Sequence, residues 1–234
     1  INNCYFSGNN DAIQYWGPIG VIKDSCIQGN TNGITLGWSS PDIQNCLIDS
    51  NLSFGIQCNN STSVISGNTI TNSMFGVICA NANPIIENNY QISNNSVGIR
   101  ISNSSSPVIR NNPAINMNSY GIMGGYSSNI TIENNTLMGN NYGIHIEDST
   151  ATISNNNLIM GNLNGIVLTN STTAIIDNNS IQNNIVYGIW LSTGIDSTTI
   201  LTNNQITQNN IGVAIDIDAQ PVLGDLTDGL STND

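Results

Sequence analysis

The chain has 234 residues, 38% of them apolar, which is enough to bury a sizeable core. Its net charge is −12, and its three bases, Lys23, Arg100 and Arg110, form no basic stripe, which excludes nucleic acid as a partner and argues against an anionic membrane surface. No apolar run reaches the roughly 18 residues of a membrane span, and no charged-then-apolar leader opens the chain, so membrane insertion is not expected.

Charged residues make up only 8% of the chain, whereas Asn fills 43 positions. Such polarity would predict disorder if the apolar residues were scattered. They recur instead. In chain order, "GITL" at 33, "GIQC" at 55, "GVIC" at 76, "GIRI" at 98, "GIMG" at 121, "GIHI" at 143, "GIVL" at 165, "GIWL" at 188 and "GVAI" at 212 follow one another at intervals of 22, 21, 22, 23, 22, 22, 23 and 24. A fixed period of this size predicts a solenoid.

About ten residues after each glycine comes a second segment: "VISGNTI", "PIIENNYQI", "PVIRNNPAI", "ITIENNTL", "ATISNNNL", "AIIDNNSI" and "TILTNNQI". Apolar residues two apart predict strands, so each rung is two or three short strands joined by turns. The glycines are expected to ease the turn into each strand. Inward Ile, Leu and Val, from Ile34 and Leu36 through Val213 and Ile215, form one continuous column. Cys58 and Cys79 sit at adjacent levels of it as buried thiols. With Cys4, Cys26 and Cys46 they show no metal spacing, and a disulfide is left open.

In the second segment one phase is held by Asn68, Asn89, Asn112, Asn135, Asn156, Asn179 and Asn204, with Ser25 and Cys46 in earlier rungs. Amides stacked at the roughly 4.8 Å strand spacing can hydrogen-bond along the axis as a ladder. The tandem pattern resembles the right-handed parallel β-helix repeat family, the pectin-lyase-like fold class of pectate lyases, polygalacturonases, alginate epimerases and many surface repeat proteins. The resemblance implies an all-β, single-stranded right-handed parallel β-helix of about ten rungs over residues 1–219, followed by an acidic Asp/Gly-rich tail at 220–234. It says little about function, because the fold hosts enzymes, binding modules and scaffolds alike.

The chain opens within a rung and shows no capping helix, so flanking domains or end-to-end stacking of copies into a filament is expected. Asp216, Asp218 and Asp225 give the tail an oxygen-rich composition suited to Ca²⁺, without a complete calcium-loop motif. No other cofactor is expected.

For catalysis, "YGIHIED" at 142–148 places His145 and Glu147 on one outward face. The pair could move a proton, but no second acid lies one rung away, and Asp216 in the same column stands roughly 14 Å off, beyond the reach of a glycosidase pair. Epimerases of the fold carry Asp-Pro-His, which "IHIED" does not reproduce. A solvated histidine is the plainer reading.

A second column brings Glu87, Arg110 and Glu133 onto consecutive rungs, either as lyase-like machinery or as an exposed ion triad. Aromatics Phe54, Phe75, Tyr120, Tyr142 and Tyr187 precede the strand glycines, and Trp16, Trp38 and Trp190 lie nearer the outer face. Of these, Trp38, Trp190 and Tyr142 are the candidates for stacking on a polysaccharide. The expected function is an extracellular or cell-surface structural or adhesive scaffold, self-assembling or glycan-contacting. The alternative is a carbohydrate-active lyase, epimerase or hydrolase.

Overall fold

The computed structural model describes residues 1–224. Among them the chain winds through three parallel sheets of ten strands each, every strand pairing with its counterpart one turn away. One turn reads Cys26–Gln28 in the first sheet, Asn32–Gly37 in the long second sheet and Asp42–Gln44 in the third. The solenoid with its ladder is therefore as expected, with three strands per turn. Its last strand, Val222–Leu223, pairs with Ile200–Thr202.

Each sheet sends one or two apolar side chains per turn inward. Ile48, Ile70 and Ile92 stack in the first sheet, Ile56, Val77 and Ile99 in the second, and Ile65, Ile86 and Ile109 in the third, all fully buried. Each such side chain contributes roughly 1.5–3 kcal/mol relative to exposure. Cys58 and Cys79 are partners in register and wholly buried as free thiols, and burial pushes the Cys58 thiol up to about 12.

The polar residues inside this column lie at the corners. At the corner between the third and first sheets, Asn112 is typical. Its Oδ1 accepts from the backbone N–H and the Nδ2 of Asn89, both at 3.0 Å. Its own Nδ2 donates to Asn135 Oδ1 at 2.9 Å and to the carbonyls of Ile86 and Arg110. The same pattern runs from Asn68 to Asn204, and Cys46 and Ser25 take the position in the earlier turns.

The sequence reading missed a second asparagine ladder. At the corner between the first and second sheets, Asn9, Asn30 and Asn51 link in turn, Ser73 interrupts, and the chain of amides resumes through Asn95, Asn118, Asn140, Asn162, Asn184 and Asn209. The third corner uses hydroxyls: Ser105, Ser128 and Ser149 accept backbone N–H groups from the preceding turn, and Thr199 accepts from Ala174.

Just before a ladder residue the chain turns through the left-handed region, at Asn88, Asn111 and Asn134 in one ladder and at Gly139 and Gly161 in the other. The repeated Asn-Asn doublet is thus two jobs side by side: the first amide tolerates positive φ, and the second turns inward. The strand glycines serve a different purpose from the turn assigned to them above. Their φ is not positive. A Cβ on Gly98 would lie 2.6 Å from the carbonyl oxygen of Gly121, and Gly121 stands in the same relation to Gly143, so each backbone packs directly on the next.

Candidate functional site

The long sheet presents two outward columns that bring the sequence candidates together. In the first, Phe54, Phe75, Val97, Tyr120, Tyr142, Asn164 and Tyr187 follow in register. In the second, Arg100, Met123, His145, Val167 and Trp190 do so. Arg100 and His145 in the second column point away from the core because they alternate with the buried Ile99, Ile101, Ile144 and Ile146, and the Tyr120 and Tyr142 rings of the first column lie on the same face, packed against His145.

The tightest constellation lies on the adjacent turns of Tyr120 and Tyr142. Their rings stack with centroids 4.8 Å apart and planes 7° from parallel. His145 closes the group, with its ring 5.8 Å from Tyr120 and 5.6 Å from Tyr142. It is therefore half-buried rather than solvated, because the two phenol rings cover it. Thr169 Oγ1 lies 3.4 Å from His145 Nε2, while Nδ1 is buried without a partner.

Burial lowers the His145 pKa and the charge of Glu147 partly offsets this, so the imidazole is neutral at pH 7. The Tyr120 phenol is pushed up by burial, then by Tyr142 and Glu147. The cluster thus sets a neutral imidazole against the Tyr120 and Tyr142 rings, with Glu147 nearby.

Two turns further on, Trp190 packs on Tyr187 with centroids 5.4 Å apart and donates Nε1–H to Asp216 Oδ1 at 3.1 Å. That bond occupies one of the acids expected to suit Ca²⁺. Asp218 is exposed, no group of three His, Cys, Asp or Glu side chains arranged for a metal occurs among the described residues, and Asp225 lies outside them.

On the third sheet Glu87, Arg110 and Glu133 are in register as expected. Arg110 Nε pairs with Glu87 Oε2 at 2.7 Å, whereas no ion pair between Arg110 and Glu133 forms. The expected triad is a pair, partly exposed and so a minor contributor to stability. Arg100, which the sequence reading left unassigned, lies over the Phe75 ring at 5.5 Å. Trp16 and Trp38 are neighbours on adjacent turns, with ring centroids 6.2 Å apart.

The model of the right-handed β-helix region matches residues 1–90, 42–173 and 142–226. The chain belongs to the right-handed β-helix family. A search among curated proteins finds no match. Among solved structures, this β-helix is similar to the A-module of the mannuronan C-5 epimerase AlgE6 of Azotobacter vinelandii, with a TM-score of 0.64 and 14% identity over 95% of this chain and 78% of that one. At that identity the likeness shows the shared β-helix fold.

Proposed function

We propose that this β-helix is a non-catalytic structural or adhesive scaffold of the extracellular space or cell surface. The observation that carries the reading is the use to which its polar residues are put. Asparagine, the commonest of them, is spent on two axial ladders and on the corner turns, so the composition describes a stiff, internally satisfied rod. The acidic surface with few bases supports an exported location. His145 fits this role as packing against two stacked tyrosines.

A second reading, a carbohydrate-active enzyme, draws on one observation: Tyr120, Tyr142, His145 and Glu147 gather acid and base groups on the long sheet of a fold shared with a mannuronan epimerase. Incubation with a panel of neutral and uronate polysaccharides, followed by assays for reducing ends, unsaturated products and C-5 inversion, separates the two. No turnover is expected. Turnover that disappears in His145→Ala or Arg110→Ala overturns the scaffold reading. Electron microscopy at rising concentration shows whether copies stack into filaments.

A further inference from the structure

At the corner between the long sheet and the third sheet, Trp16 and Trp38 are 58% and 73% exposed, and their planes lie 25° from parallel. Near-parallel rings 6.2 Å apart at their centroids are offset, so the pair forms a stepped aromatic platform facing solvent.

The chain is shaped to hold it. Gly37 lies under the Trp16 ring, where any Cβ would overlap the indole. The segment after Trp16 is braced by the Tyr15 hydroxyl, which donates to the Ile19 carbonyl at 2.9 Å. Trp38 itself adopts a φ of 45°, in the left-handed region that Tyr126 also enters at this corner and that Asn60, Asn81, Asn103, Asp148 and Asn170 take there in other turns. Those short polar side chains suit the geometry and a bulky indole does not. A bulky ring held largely exposed in this conformation, beside a second exposed indole, points outward to a ligand.

We propose that Trp16 and Trp38 form a binding platform for the apolar face of a neutral polysaccharide chain. The surroundings select that chemistry. Segments 14–20, 35–42 and 57–62 contain no Lys or Arg and one acid, Asp42, so an anionic sugar finds no counter-charge. The rim carries neutral groups for sugar hydroxyls, among them the exposed Ser40 and Thr62 hydroxyls, 3.0 Å apart. Two indoles of about 250 Å² each, exposed to this degree, offer on the order of 300 Å². That fits one or two pyranose rings and falls far short of the roughly 800 Å² per partner of a stable protein interface.

The test uses Trp190→Phe, so that indole fluorescence reports only this pair. It is titrated at millimolar levels with gluco-, manno-, xylo- and galacto-configured neutral hexasaccharides and with oligomannuronate. A saturable shift with a neutral oligosaccharide and none with oligomannuronate is expected. Adding Trp38→Asn, the residue type other turns use, should weaken binding at least about tenfold while thermal unfolding stays cooperative and does not fall to lower temperature. Tyr126→Asn, at the same corner, should leave binding unchanged. The proposal is overturned if every neutral hexasaccharide is silent, if Trp38→Asn binds as well as its parent, if oligomannuronate is preferred, or if the protein partitions instead to phosphatidylcholine vesicles. Because binding is read without turnover, its failure leaves the scaffold reading standing.

Discussion

The two asparagine corners and the hydroxyl corner solve the same problem with different reach. Each must turn the chain, satisfy backbone groups and pass the pattern to the next turn. An Asn side chain carries an acceptor and two donors, so Asn112 ties three successive turns together. A serine hydroxyl donates once, as Ser105 does to Ser102 at 2.6 Å while accepting from Ala82. The asparagine corners consequently repeat one bonding pattern over most turns, broken at Ser25, Cys46 and Ser73. The hydroxyl corner is looser: it takes two left-handed residues at Asn103 and Ser104, and it carries the exposed Trp38 and Tyr126. The proposed binding platform lies at this corner, where no amide ladder ties one turn to the next.

Substitutions at matched positions measure that difference. Asn112→Ala leaves the buried Asn89 N–H without its acceptor, strips an amide partner from Asn89 and opens a small cavity, an expected loss of about 3 kcal/mol in denaturant unfolding. Ser105→Ala removes one acceptor, from Ala82 N–H, and one donor, so about 1–2 kcal/mol is expected. Equal losses at the two sites would break the comparison.

Trp38→Asn should act in the opposite direction and raise stability by about 1 kcal/mol, as a bulky residue leaves the left-handed region. A fall in melting temperature would mean that the indole serves packing. The smallest effect is expected from His145, which lies away from the corners. Its folded pKa is depressed below the unfolded value, so the unfolded chain binds the proton more readily. Stability is full above about pH 6.5 and declines as pH falls through the unfolded value toward the folded one. His145→Phe should flatten that slope, and an NMR titration of the imidazole checks the sign.

Much of this was readable beforehand, but unevenly. The first ladder stood out because Asn recurs there in seven turns beside an alternating strand. The second was equally periodic, with Asn30, Asn95, Asn118, Asn140 and Asn162 each three residues before a strand glycine, yet the preceding residue varied and masked it. The hydroxyl corner left no comparable signal, since Ser and Thr are common throughout. Trp16 and Trp38 are one period apart, but strand register sets Tyr15 against Leu36, placing Trp16 over Gly37 and one residue short of Trp38.

By itself the sequence determined the solenoid, its period and the inward Ile column, because a repeated apolar phase can be buried only by stacking identical turns. It also determined which residues share a column, since the fixed period stacks equivalent positions on successive turns. Only the tertiary structure decided what those columns do. Ring stacking covered His145, a choice of side-chain direction paired Arg110 with Glu87 rather than Glu133, and a missing Cβ at Gly37 let two distant tryptophans meet. Such outcomes depend on contacts between turns about 22 residues apart, where rotamers and backbone clearance rather than residue order set the geometry.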